Sequence, residues 1–351
     1  MSRIDWIVLR RISARVLLTI TVIFGLMALI ESLDTWRFET LSRAGGPPLA
    51  LLAIVAGAGR LVVNTLPVTV LIGTIIAVLD LQARRELTVI KSVGVSVWRV
   101  TRAPLLAAFV LGLFAATVAD TVALQINRDL PISNTHARSG ELWLEQNGAD
   151  GPYRLHANRA QASGALQGVS VYFTGDGERA RIEADAARLA AGAWVLDGAI
   201  RYSPGALPEP LPKDFRLATV TTPGDMRLRL TSAANLTFME LVNIVSQNVA
   251  DPTLRAAAIT SLLRLLSLPG LLVGSVLMGF AFTTGYRRTN KYGGAVLYGV
   301  VLGFVVYVVT ELANRSGFAG VLDPTFAAVG PAFVAIVIGL TVLLYKEDGR
   351  A

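Results

Sequence analysis

Six stretches of this chain carry no charged side chain: Val16–Ile30, Leu61–Leu79, Pro104–Ala119, Leu265–Tyr286, Tyr292–Thr310 and Pro324–Tyr345. A helix needs ~20 apolar residues to cross the hydrocarbon of a bilayer, and each run reaches that length once its partly polar ends are included. Hydrocarbon offers no water to backbone N–H and C=O groups, so a spanning segment has to bond itself, which a helix does. The runs therefore predict six transmembrane helices. Composition agrees: only 16% of the 351 residues are charged, where soluble domains hold about a quarter.

Charge in the short loops orients the spans. One side holds Arg3, Arg10, Arg11, Arg15, Arg84, Arg85, Lys91, Arg99 and Arg102, with Arg287, Arg288, Lys291, Lys346 and Arg350. The other side's short loops hold Arg37, Arg43, Arg60 and Arg315. Cytoplasmic loops carry the excess of Lys and Arg, so both termini are expected there, and the segment between the third and fourth runs is expected outside. The same loops explain the net charge of +7, which otherwise suggests nucleic acid. The first run follows Met1 without a small-residue cleavage site and reads as a retained anchor.

The hydrophilic segment from about Gln125 to Arg264 changes period. Tyr153–Ala157, Gly168–Phe173, Ala180–Ala184, Trp194–Leu196, Phe215–Leu217 and Met226–Leu230 alternate roughly at period two, as strands do. Gly175-Asp176-Gly177, Ala191-Gly192 and the proline-rich Ser203–Pro212 read as turns between them. Short strands at this spacing predict an all-β, jelly-roll-like sandwich. From Leu236 the pattern is helical, with Thr237 as N-cap and Leu241, Ile244 and Val245 on one face, until Asp251-Pro252.

The fold class is therefore an α-helical membrane protein with an inserted all-β extracytoplasmic domain. The first three spans occupy residues 1–124, with a cytoplasmic helix at about 82–97. A β-domain covers 125–235, a helical connector 236–264, and the last three spans 265–351.

Catalytic chemistry finds little support. There is no cysteine, which excludes thiolate catalysis, disulfides and cysteine metal sites. No G-x-x-x-x-G-K-[ST], H-E-x-x-H, G-x-S-x-G or Gly-x-Gly-Asp occurs, so ATP hydrolysis is expected on another chain. His136 and His156 stand without a ligand cluster and read as exposed loop or strand residues. No catalytic residue, metal ligand or cofactor is assigned. Glu31, Asp34, Asp80, Asp120 and Glu311 lie towards the ends of runs, where solvated or paired carboxylates are the simpler reading. Glu311 and Arg315 are one helical turn apart and predict a pair. Gly270-x-x-x-Gly274 and Gly299-x-x-x-Gly303 are either close helix contacts or chance spacings. Asn64 and Pro67 either border a cavity or make a bond inside the bundle. Arg37 and Arg43, at the outer end of the first run, are candidates for lipid phosphates, against ordinary interfacial snorkelling.

One short charged stretch lies between the second and third runs: Gln82-Ala83-Arg84-Arg85-Glu86-Leu87-Thr88-Val89-Ile90-Lys91-Ser92-Val93-Gly94. Leu87, Ile90, Gly94, Val97 and Trp98 share one helix face, with Arg84, Arg85, Glu86 and Lys91 off it or at its edge. Gly94 reads as a stop, and Ser96 as an N-cap for the helix after it.

This stretch resembles the coupling-helix signature of the LptF/LptG lipopolysaccharide-export permeases, in which Arg, any residue and Glu-Leu lead through apolar residues to a Gly. Gly140-Glu141-Leu142-Trp143, Asn147-Gly148 and Tyr153-Arg154-Leu155 resemble the first strands of that family's periplasmic β-domain, and the Trp143 region is more similar to the G-type subunit. Leu236 to Asn248, with Arg264 and Pro269, resembles its connector into the fourth span, although the usual aromatic residues are absent around Arg255 to Ser261. The resemblance covers essentially the whole chain. It implies a permease that pairs with a second such permease, recruits a cytoplasmic ATPase dimer, and extracts lipopolysaccharide from the inner membrane. A single-span partner would then pass the lipid to a periplasmic bridge. It also implies that Glu86 engages the ATPase, with Arg84, Arg85, Leu87, Ile90 and Gly94 completing the contact, and that Arg37 lies near residues that meet lipid phosphates. The alternatives are an envelope lipid-modifying enzyme and a scaffold with a periplasmic β-domain.

Overall fold

The computed structural model describes residues 3–92, 94, 96–130, 141–148, 151–161, 164–174, 180–190, 192–247, 249–283 and 292–347. His136, Gly140, Ala191, Arg287, Arg288, Lys291, Arg350 and the turn at 175–177 lie outside the described residues. The chain divides into two compact units, one of residues 1–127 and 259–351, the other of residues 128–258.

The first unit is helical. It contains α1 (Arg3–Ser32), α2 (Thr35–Ala83), α3 (Glu86–Ser92) and α4 (Val97–Phe114), which continues through a π-turn at Ala115–Ala119 into α5 (Asp120–Asp129). After the second unit come α8 (Pro252–Thr283), α9 (Tyr292–Phe318) and α10 (Pro324–Glu347). Six helical segments among the described residues are long and apolar enough to cross a membrane, as the charge-free runs predict.

Two boundaries differ from the expectation. α1 stops at Ser32, and α2 starts at once, because the Asp34 carboxylate accepts the Arg37 backbone N–H at 3.1 Å and caps the new helix. Arg37, Arg43 and Arg60, expected in an outer loop, are therefore helical and belong to α2. The helix breaks at Gly45 and Gly46, where Gly46 takes φ of +79°, and Pro47 supplies the fixed φ that restarts it. Likewise, α3 is a helix of its own. Arg85 turns left-handed at φ 58°, Gly94 at φ 80°, and Ser96 is extended ahead of α4. The single face from Leu87 to Trp98 thus divides between two helices.

Apolar side chains gain little by leaving lipid for one another, so spans meet through small residues. A Cβ on Gly112 would stand 2.5 Å from Pro269 Cα, and one on Gly274 would stand 2.8 Å from Ala335 Cβ. Gly303 approaches Val68 in the same way. The second glycines of both small-residue pairs therefore sit at real helix contacts; the surroundings of Gly299 lie outside the described residues. Leu71, Ile75, Leu271 and Met278 fill the core between α2 and α8, with Ala332 and Ala335 of α10.

The second unit is built on one antiparallel sheet. β1 (Leu142–Gly148), β2 (Gly151–Ala160), β3 (Ala165–Phe173), β4 (Arg181–Ala190) and β5 (Ala193–Asp197) pair in sequence, and β8 (Phe215–Ala218) pairs with β5. The short β6 (Ile200–Tyr202) pairs with β4 and with β7 (Glu209–Pro210). The period-two pattern buries Leu144, Tyr153, Leu155, Val171, Ile182 and Trp194 on one face. That face closes around a polar knot. Gln146 Oε1 accepts from Trp194 Nε1 at 3.3 Å and from the Thr219 hydroxyl. The Tyr153 hydroxyl lies 2.9 Å from Gln146 Oε1 and 2.8 Å from the Ala218 carbonyl, so its one proton serves either.

Met226–Leu230, expected as a strand, is helical instead, within α6 (Pro223–Leu230). The local chemistry outweighs the alternation: the Thr222 hydroxyl and the Asp225 carboxylate form a capping box, and Pro223 occupies the first turn. The second capping box, Thr237 with Glu240, starts α7 (Phe238–Ser246) where expected, with Leu241 and Ile244 buried. Burial raises the Glu240 carboxyl, but bonds from Arg128 and Thr237 outweigh it and hold the group below its ordinary range.

Burial pushes the Tyr153 phenol up to about 12, opposed in part by the Thr219 hydroxyl. A phenol ionises near ~10 when unfolded, so this share of stability is complete below that pH and is lost as pH rises through about 12. Thermal unfolding of the full chain should therefore lose stability across that window more steeply than a Tyr153→Phe variant does. At neutral pH the variant should be about 1 kcal/mol less stable, since it loses the buried hydrogen bond that the phenol donates.

Candidate functional site

The residues singled out at 84–94 form a compact junction. α2 ends with Arg84 N–H on the Asp80 carbonyl at 3.1 Å and Arg85 N–H on the Gln82 carbonyl at 2.9 Å. The left-handed Arg85 then turns the chain directly into α3, a conformation worth roughly 1–2 kcal/mol of strain in a non-glycine residue. Glu86 in the first turn suits the positive end of the helix. Leu87 is buried and Ile90 half-buried, which fixes one side of α3. Arg84, Arg85, Val89, Ser92 and Gly94 face outward.

Two arginines of α1 hold this junction. Arg11 Nη2 donates to Glu86 Oε1 at 2.9 Å, and Arg15 Nη2 donates to Asp80 Oδ2 at 3.1 Å. Arg84 Nε shares Asp80 from the other side at 3.3 Å. Arg11 and Arg15 are one helical turn apart, so a single face of α1 meets both the end of α2 and the start of α3. Gln82 Nε2 donates to the Thr283 carbonyl at 2.7 Å and Lys346 Nζ to the Ala281 carbonyl at 2.6 Å, tying α2 and α10 to the last turn of α8. Half-exposed pairs of this kind contribute ~0.2–1 kcal/mol each. They set geometry more than stability, and they can be exchanged for other partners.

At the opposite end of α2, Arg37 and Arg43 stand in different situations. Arg37 Nη1 donates to Glu31 and Nη2 to Asn127 Oδ1 at 2.8 Å, so it bridges α1, α2 and α5. Arg43 pairs only loosely with Glu39 at 3.2 Å and is 78% exposed. Glu311 and Arg315 pair at 2.7 Å as their spacing predicts. Asn64 both accepts from Arg264 Nη1, at 3.3 Å, and lines a cavity with Pro67, so both readings of it hold.

Sequence reasoning missed the grip of Arg11 and Arg15. Their spacing was legible, but depth along a helix does not say which way it is rotated. His156 is a strand residue whose ring lies 4.4 Å from that of Trp143, centroid to centroid. Among the described residues no three His, Asp or Glu side chains gather as a metal site.

Six membrane-crossing helices, an inserted antiparallel β-unit and a short charged helix between the second and third spans define a multi-pass transport protein. The family model described as lipopolysaccharide export system permease LptF/LptG matches residues 6–345. The chain belongs to this family, and its role is that of a lipopolysaccharide-export permease rather than an enzyme. No curated protein matches it.

Replacing Leu87 by Asp places a charge in a buried site, at a cost of several kcal/mol, and should release α3 from the helices beneath. Limited trypsin digestion of the full chain should then cut after Arg84 and Arg85 about tenfold faster than wild type. An unchanged rate would mean that Leu87 does not anchor the helix.

Proposed function

We propose that this chain is the G-type subunit of an ATP-driven lipopolysaccharide exporter, in which α3 is the surface that a separate ATPase dimer grips. The observation that carries the reading is the construction of α3: a self-contained helix, anchored by Leu87, begun by Glu86 and touched by α1 through Arg11. The similarity of the Trp143 region to the G-type subunit supports the subunit assignment. An anionic side chain at the start of an exposed helix calls for a cation on the partner, and the weak Arg11 pair allows that exchange. Movement of α3 then reaches α1 through Arg11, α2 through the Arg85 turn, and α4 through Gly94 and Ser96. Arg84, Arg85, Ile90 and Gly94 complete the contact surface.

In this reading the protein sits in the inner membrane with both termini cytoplasmic. The β-unit is periplasmic and hands the lipid, by way of a single-span partner, to a periplasmic bridge. A second permease of the family completes the pathway. Arg37 and Arg43 meet lipid phosphates at the outer boundary, Arg43 with the more accessible guanidinium.

The test is affinity purification from detergent, paired with export-dependent growth. Glu86→Lys should insert and fold as wild type does, yet lose the co-purifying ATPase and the growth. Reversing the charge of the ATPase cation that meets Glu86 should restore both. Normal ATPase recovery and normal export in Glu86→Lys would rule out the docking role.

A further inference from the structure

Burial along the third span changes phase at the π-turn. Ahead of it, α4 buries Val97, Thr101, Pro104, Ala108 and Gly112, which share one face of an α-helix. At about 3.6 residues per turn, that face would next bring Ala115, Ala119 and Val122 inward and turn Asp120 and Leu124 outward. Ala115 is buried as this requires, but Val122 is 47% exposed, whereas Asp120 is 4% exposed and Leu124 is buried. The cause is the turn itself. The Asp120 N–H bonds the Ala115 carbonyl, five residues back instead of four. A turn wider by one residue rotates all that follows by about 100°. The π-turn therefore exchanges Val122 for Asp120 on the inner face.

Turning a valine out and a carboxylate in is favourable only where the carboxylate meets positive charge. Asp120 meets two cations, Arg264 of α8 and Arg60 of α2, which act on it electrostatically. Among the described residues its carboxylate accepts no hydrogen bond, so it works on them as a charge. The approach of the helices is fixed nearby, because Gly112, two turns before Asp120, lets α4 lie against Pro269 of α8.

Arg264 is half-buried and lines the cavity between α2, α8, α9 and α10. It donates to Asn64 of α2 at 3.3 Å, and Glu311 of α9 is its second carboxylate partner. Two carboxylates on different helices thus hold one guanidinium between α5 and α9. Glu311 is also bonded by Arg315. Without the Asp120 charge, the pull on Arg264 comes from the α9 side alone, and the guanidinium is drawn away from its place on the wall.

We propose that Asp120 is a positioning residue for export: its charge fixes Arg264 on the cavity wall, and the π-turn is the device that aims it there. The role belongs to the end of the third span remote from α3, and it stands whether or not α3 docks an ATPase.

The experiment measures export-dependent growth, the amount of chain in the membrane, and the melting temperature of the purified chain with whatever subunits accompany it. Asp120→Asn keeps the shape and removes only the charge, so it should reach the membrane, melt lower and lose export. Asp120→Glu returns the charge and should return export. Asp120→Asn combined with Arg264→Gln separates positioning from simple charge balance. With neither charge present it should regain the melting temperature of wild type and still fail to export. This double variant decides the matter even if Asp120→Asn alone does not accumulate. Normal export in Asp120→Asn, or export regained in the double variant, overturns the proposal. The turn is tested by deleting Val118, which closes it to an α-helix and leaves Asp120 facing inward. That variant should insert and export, and insertion without export would overturn the aiming role.

Discussion

A peptide group inside hydrocarbon has no water to bond, and a charge there has no solvent to spread into. Most of this molecule results from that condition. The backbone satisfies itself by forming helices, and charged side chains are pushed to the levels where the helices leave the hydrocarbon. At one end the result is the ionic set of Arg11, Arg15, Asp80, Arg84 and Glu86. At the other it is Glu31 with Arg37, and Arg264 with its carboxylate neighbours. Both sets join different helices. The requirement that charges be paired near lipid therefore also determines which helices are tied together, and at which depth.

Between those levels the packing works by a different rule. Leucine gains little from leaving lipid for another leucine, so contact area alone does not hold the spans. Closeness does: Gly112 lets α4 lie against Pro269, and Gly274 lets α8 lie against Ala335. The β-unit obeys the opposite balance. Water surrounds a sheet of this kind, so burial of Trp194, Tyr153 and Ile182 drives it, and the buried polar atoms at Gln146 have to be matched one by one. One chain uses two solvents, and each unit is stabilised by what the other's solvent does not provide.

Legibility from sequence divides along the same line. The spans were plain because charge is excluded from hydrocarbon over ~20 residues at a time. Strands β2 to β5 were plain because period-two burial faces a single core. Met226–Leu230 misled because its alternation also fits a short helix, and the capping chemistry of Thr222 and Asp225 decided between them. Arg37 and Arg43 were assigned to the end of the first span but belong to α2, because the turn between α1 and α2 is only two residues long. The pairing of Arg11 with Glu86 could not be read at all. Sequence gives height along a helix directly, whereas rotation about its axis depends on every neighbour.

That pairing also bears on how force could pass through α3. A helix fixed rigidly on all sides would transmit nothing, and one tied to nothing would move alone. α3 lies between these limits. Leu87 is buried and Arg85 leaves no slack on the α2 side, so those attachments are stiff. On the α4 side, Gly94 takes φ 80° and Ser96 is extended. The Arg11–Glu86 bond is half-exposed and worth at most ~1 kcal/mol, so a cation brought by a partner competes with it on nearly equal terms. Such a partner would gain Glu86 and free Arg11 in one step. A single exchange of ion pairs would then change what α1 is tied to without unfolding any helix, which is the kind of discrete, low-cost switch that coupling between a motor and a membrane pathway requires.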